Sequence, residues 1–210
     1  MSEKLRLGVL VSGRGTNLQS ILDGCQAGTI PATVAVVVSN RPGVLALDRA
    51  AKAGVPSVSV DYKSYGKWPA SKAAYEADLV EVLRSHRVEL VVCAGYDRLA
   101  GETLINAFPG KIINVHPALL PSFPGLHAQR DALEYGVKVS GATVFFVDPT
   151  VDGGPVIVQE AVPVLEDDTE ETLSQRILQV EHRILPLAIT LIAEGRVKIE
   201  GRRVKVRAKQ

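Results

Sequence analysis

"VLVSGRGTNLQSIL", residues 9–22, changes its hydrophobic period half-way. The apolar run that ends at Val11 has the texture of a buried strand, whereas from Leu18 onward apolar residues recur at helical spacing. Gly13 and Gly15 stand between the two, where they allow a tight turn and close approach of a ligand to the backbone. Free N–H groups at the start of the following helix favour an anion, so the expectation is a phosphate held on Gly15, Thr16 and Asn17. The loop lacks the Lys of a nucleotide P-loop and the third Gly of a dinucleotide fingerprint. A turn in which Thr16 or Asn17 merely caps a helix therefore stays open as a second reading.

The same alternation runs on through the first half of the chain. Apolar runs Leu5 to Val11, Val34 to Ser39, Ser57 to Val60, Leu90 to Cys93 and Lys111 to His116 alternate with segments of helical period at Leu18 to Gln26, Val44 to Ala53 and Ala70 to Arg84. Near-continuous Val/Leu/Ile strands separated by helices imply a parallel sheet covered on both faces. Ligands of such sheets bind beyond the carboxyl ends of the strands, which is where the Gly13 to Asn17 turn lies. After His116 the pattern changes to a Pro-rich loop, a helix near Gln129 to Glu134, and strands at Ser140 to Val147 and Pro155 to Val164 joined by a turn from Asp148 to Gly154. A helix over Glu170 to Ala193 turns Leu173, Ile177, Val180, Ile184 and Leu191 inward, with a kink expected at Pro186. The fold class is therefore α/β: a doubly wound, Rossmann-like, mainly parallel sheet with a mixed C-terminal half.

At 210 residues the chain is long enough to bury a sizeable core, and one domain over 1–210 is expected. Lys+Arg 24 against Asp+Glu 23 leaves a formal charge of +1, which argues for neither a nucleic-acid partner nor a membrane surface. The basic tail RVKIEGRRVKVRAK at 196–209 reads as a small hairpin with a solvated edge rather than a polyanion patch. Cys25 and Cys93 lie in apolar contexts without metal or redox spacing and read as core. The start MSEKLRLGVLVSG reads as a first strand rather than a signal peptide, and no apolar run is long enough to span a bilayer. The expectation is a cytoplasmic protein acting on small molecules, as a monomer or homodimer.

A second stretch, INVHPALLPSFPG at 113–125, carries the chemistry. Side chains alternate across a strand, so Asn114 and His116 share a face, and three prolines stiffen the loop after the strand. Asn114 can donate amide hydrogens to a developing oxyanion, and a cationic His116 can stabilise the same charge and shuttle a proton. Asp152, in the turn VDGGP, would supply a carboxylate that favours the imidazolium. The plain alternatives are a structural histidine at a strand end and an Asp that only makes a turn. His127 either lines the same cleft or begins a helix. No metal-ligand spacing is present, and no metal is expected.

With SGRGTNLQSIL at 12–22, VVCAGYDRL at 91–99, INVHPALLPSFPGLHA at 113–128 and DGGPVIVQEAVPV at 152–164 in this order, the chain resembles the folate-dependent phosphoribosylglycinamide formyltransferases of purine synthesis. The resemblance implies the formyltransferase fold and transfer of a formyl group from 10-formyltetrahydrofolate to the amine of 5-phosphoribosylglycinamide. It implies a catalytic trio of Asn114, His116 and Asp152. It places the substrate phosphate on Gly15, Thr16 and Asn17, and the ribose on Glu181. The folate falls to Lys72, Asp97, Arg98, Leu99, Ala100 and Asn114, with the loop from Val147 to Asp152. Three positions depart from the family pattern: Asp97 for a Met or Leu, Lys72 for an Arg, and Phe145 for a His. Lys72 keeps the charge but loses the planar fork.

Relatives with the same trio are formyltetrahydrofolate hydrolases, methionyl-tRNA formyltransferases and sugar-amine formyltransferases. The first two are expected to carry an additional domain for which this chain has no room. A non-catalytic binding module that kept the fold is the rival from another class.

Overall fold

In the computed structural model the described residues are 4–208, so residues 1–3 and 209–210 of the expected domain, with the first residues of the MSEK start and the last lysine of the basic tail, lie outside them. By contact the chain divides into two compact units, one reaching Ile113 and the other starting at Asn114.

The first unit alternates strand and helix: β1 (Leu5–Val11), α1 (Thr16–Ala27), β2 (Ala32–Ser39), α2 (Leu45–Lys52), β3 (Ser57–Ser59), a 3₁₀ turn at Tyr62–Tyr65, α3 (Lys72–Ser85), β4 (Leu90–Cys93) and α4 (Glu102–Ala107). Its strands are hydrogen-bonded in the order β3-β2-β1-β4, all parallel. In register, Val9 faces Val37 of β2 and Val92 of β4. Leu7, Val9, Leu10 and Val11 are fully buried, as central strands covered on both faces require. From α3, Leu79 and Leu83 also enter the core with no exposed surface. Truncating either to Ala is a change of about 2–5 kcal/mol.

β5 (Ile112–His116) carries the boundary between the units. The second unit continues with α5 (Ala128–Tyr135), β6 (Val139–Phe146), β7 (Val156–Pro163), α6 (Glu170–Ala193), β8 (Val197–Glu200) and β9 (Arg203–Val206). β6 and β7 are antiparallel, with Thr143 opposite Gln159, and from Gln159 to Pro163 every second residue of β7 is exposed, as on a strand with one wet face. α6 packs on both strands, and the five positions expected to turn inward are all buried. Its start is held tightly: Thr172 N–H donates to the Thr169 hydroxyl at 3.2 Å and Thr169 N–H to that of Thr172 at 2.9 Å. The helix runs unbroken through Pro186. β8 and β9 form the expected hairpin, in which Lys198 and Lys205 stand opposite each other and both pair with Glu200.

The α/β class with parallel strands first and an antiparallel pair later is the one the sequence implies. Two elements were not expected from it, the Tyr62–Tyr65 turn and α4. At six residues α4 is too short to show a period. It starts where it does because the buried carboxylate of Glu76, on α3, accepts the N–H groups of Gly101 at 2.5 Å and Leu104 at 3.3 Å. That cap comes from a distant part of the chain.

Candidate active site

The first unit presents its polar groups where the strands end. α1 opens at Gly15, whose φ of +70° is left-handed, and whose Cβ, were there one, would lie 2.7 Å from Ala46 Cβ. The N-cap position is Gly15 itself, which has no side chain to cap with. The turn is tied from α2 instead: Ala46 N–H donates to Gly13 O at 3.1 Å and Arg49 Nε to Arg14 O at 2.8 Å. The first backbone N–H groups of α1 keep the arrangement that suits an anion.

Beyond β4 and before α3, cations and aromatic rings gather. The Arg98 guanidinium lies 3.5 Å from the Tyr62 ring centroid and 5.3 Å from that of Trp68, and Lys72 Nζ lies 5.7 Å from the Trp68 centroid. Lys72 and Arg98 thus converge on one indole. Tyr75 supports it edge-on at 6.2 Å, shares a hydrogen bond with Tyr96, and has its phenol pushed up to about 12 by burial. Leu99 is exposed and Ala100 half-buried in the same segment. The Asp97 carboxylate is engaged elsewhere, accepting from Ser12, Asn40 and Arg41.

In the second unit Asn114 and His116 stand two residues apart at the end of β5, Asn114 half-buried and His116 buried. The imidazole is held at both nitrogens. Nε2 lies 2.8 Å from Phe123 O, and Nδ1 lies 3.6 Å from Asp152 Oδ2, an ion-pair contact longer than a direct hydrogen bond. Asp152 Oδ2 also accepts the Gly125 N–H at 2.8 Å.

The backbone supports this arrangement with strain. Among described non-glycine residues only Arg87, Phe123 and Asp152 have positive φ, and the last two, at 53° and 48°, are the two that face the His116 ring. The turn around Asp152 admits no side chain at Gly154, whose Cβ would sit 1.7 Å from Phe146 O. His127 stands at the start of α5 and is exposed, the helix-start alternative of its two readings. Glu181 is buried along the inward face of α6, and Phe145 fills core on β6. Among the described residues no cluster of three or more His, Cys, Asp or Glu is placed to hold a metal ion, and no helix is long and apolar enough to cross a membrane.

The formyl transferase family model matches residues 5–189. The chain belongs to the formyl transferase family. Among curated relatives of this formyl transferase, the phosphoribosylglycinamide formyltransferase of Bacillus subtilis is 43% identical, the match covering 88% of this chain and 92% of that one. The trifunctional purine biosynthetic protein adenosine-3 of Drosophila melanogaster is 45% identical over 90% of this chain, which spans only 14% of that relative's length. Among solved structures, glycinamide ribonucleotide transformylase 1 from Symbiobacterium toebii is 55% identical with a TM-score of 0.93, over 98% of this chain and 95% of that one.

Four features of this formyl transferase went unseen in its sequence: the Phe123 carbonyl on His116, the Tyr62–Trp68 platform, the Glu76 cap and the Asp97 hub. Each joins residues that are distant in sequence or rests on a backbone carbonyl, which no residue type announces. The only available signal was the run of aromatic residues from Tyr62 to Tyr75 next to Lys72.

Proposed function

We propose that this chain transfers the formyl group of 10-formyltetrahydrofolate to the amine of 5-phosphoribosylglycinamide, giving the N-formyl product and tetrahydrofolate, as a step of purine synthesis. The observation that carries the reading is the His116 ring, fixed between the Asp152 carboxylate and the Phe123 carbonyl on the strand that bears Asn114. Gly15, Thr16 and Asn17 hold the substrate phosphate on the uncapped start of α1, and Glu181 takes the ribose. Lys72 and Arg98 supply positive charge for the carboxylate end of the folate. The main chain of Asp97 to Ala100 meets its ring system.

The residues then act in order. Attack of the neutral amine on the formyl carbon forms a carbon–nitrogen bond and places negative charge on the formyl oxygen. Asn114 donates to that oxygen from its amide, and His116, on the same strand end and steadied by the Phe123 carbonyl and the Asp152 carboxylate, stabilises the developing charge. Collapse breaks the bond to the folate nitrogen, which receives the proton the amine gives up, passed by way of His116. No covalent intermediate with the chain is required, and holding both substrates lowers much of the entropic part of the barrier. The whole of 1–210 acts as one catalytic domain, a cytoplasmic monomer or homodimer that takes small-molecule substrates and no metal.

The test is a steady-state assay that follows folate release with and without phosphoribosylglycinamide, for the wild type and for His116→Ala. Release that needs the amine and vanishes in the variant supports the transferase. Release without amine would make the chain a hydrolase, and absence of release would leave a sugar amine or a binding module.

A further inference from the structure

Three loops of the first unit meet at one carboxylate. Asp97, after β4, accepts from the Ser12 hydroxyl at 2.9 Å and from the Asn40 amide at 2.7 Å through Oδ1, and from the Arg41 guanidinium through Oδ2. Ser12 follows β1, and Asn40 and Arg41 follow β2, the strands being neighbours in the order β2-β1-β4. The Ser12 contact is reciprocal: its Oγ accepts the Asp97 N–H at 2.9 Å, and its own N–H donates to Gly95 O at 3.0 Å. Asn40 is fully buried and Ser12 nearly so, whereas the Asp97 side chain keeps 29% of its surface exposed.

We infer that Asp97 is a positioning residue that locks the phosphate-binding turn Gly13–Asn17 to the Asp97–Ala100 segment, so that a residue on the folate side sets affinity for the phosphorylated substrate. This rests on the assignment of that turn to a phosphate under Proposed function. Ser12 is the residue immediately before Gly13, and the turn has two anchors: the bonds from Ala46 and Arg49 on one side and Ser12 on the other. Backbone N–H donors are directional, and their aim on an anion depends on the path by which the chain enters the helix. Only an ionised carboxylate offers acceptor positions to a hydroxyl, an amide and a guanidinium together. Asn at the same position turns an NH₂ toward one of those donors, and Leu leaves all three without their acceptor.

Two accounts of Asp97 give opposite signs. A carboxylate that acts only through its charge repels an anionic substrate, so Asp97→Asn lowers the KM for phosphoribosylglycinamide. A carboxylate that aims the turn raises that KM when it is lost.

The experiment measures both KM values and kcat for the wild type, Asp97→Asn, Asp97→Leu, Ser12→Ala and Ser12→Ala/Asp97→Asn. Alongside these, it tracks amide hydrogen exchange across residues 13–17 and thermal unfolding of the whole chain. The expected result is a roughly tenfold rise in KM for the phosphorylated amine in Asp97→Asn, a similar rise in Ser12→Ala, and less than the product of the two in the double variant. Exchange at 13–17 quickens more than exchange in the core strands. An unchanged or lowered KM, or a rise confined to the folate, overturns the lock. Should Asp97→Leu not fold, Asp97→Asn and Ser12→Ala carry the test. If the wild type shows no turnover with this amine, the functional reading fails, and the exchange measurement still decides the lock, because unchanged protection at 13–17 rejects it.

Discussion

The starts of α1 and α6 meet the same physical problem, backbone N–H groups with no partner inside the helix, and resolve it in opposite ways. At α6, Thr169 and Thr172 cap each other reciprocally, and Asp168 closes the turn with Arg176. At α1 the N-cap is a left-handed Gly15, which has no side chain to offer. The same contrast separates the two units. In the first, Glu76, Arg49 and Asp97 hold loops in shape around donors suited to binding. In the second, strained backbone at Phe123 and Asp152 is directed at one imidazole. On the proposed reading the phosphate turn lies in the first unit, whereas the oxyanion and proton-transfer groups, with Glu181 for the ribose, lie in the second, so effects on the KM of the phosphorylated amine and on kcat should be separable.

The largest test of that division lies in the second unit. His116→Ala should lower kcat by about 10²- to 10⁴-fold, and Asn114→Ala by about 10²- to 10³-fold, with circular dichroism and unfolding temperature close to wild type. Steady-state kinetics with either variant turning over near the normal rate would remove that residue from the reaction. A fall expressed only in KM would break the division itself.

Asp152→Asn is expected to cost less than His116→Ala, about tenfold in kcat. The amide keeps the size of the side chain but removes the anion 3.6 Å from Nδ1, and with it part of the field around the ring that handles the developing charge. Steady-state kinetics with kcat at the wild-type value would leave Asp152 as a turn residue.

Much of the fold, and the pairing of two polar residues on one strand, was legible in the sequence. Period switching gave the strands and helices because a two-sided buried strand and an amphipathic helix each need their pattern in order to be buried at all. Asn114 and His116 were readable as a pair because a strand forces alternate residues to one face. The ring's second partner was not, since Phe123 contributes a carbonyl and its side chain says nothing of it. Nor could Asp97 be read as a hub. Its donors come after two other strands, and only the parallel order of those strands brings Ser12 and Asn40 to it.

Smaller effects belong to the first unit. Thr16→Ala and Asn17→Ala should raise the KM for phosphoribosylglycinamide several-fold with kcat nearly unchanged, because a phosphate distant from the reacting carbon is held equally in ground and transition states. A matching loss in kcat would mean that this turn orients the amine as well as binding the phosphate.

The smallest effect is on stability alone, and it probes the closed helix start. Asp168 accepts from Arg176 at 2.6 and 2.9 Å, from the Thr172 hydroxyl at 2.8 Å and from the Leu165 N–H at 2.7 Å, and these bonds, the Arg176 fork first, hold its carboxyl well below the usual carboxylate range. A carboxyl lowered by folding adds stability that is fully present above its unfolded value, about 3.9, and is lost as pH falls toward the folded one. Asp168→Asn should therefore lower the unfolding temperature at pH 7, and the gap from wild type should narrow as the pH is taken below about 4. Thermal melts across that range decide it. A gap that stays constant would mean that the fork acts by shape rather than charge, and the two helix starts would then differ only in whether a side chain fills the space.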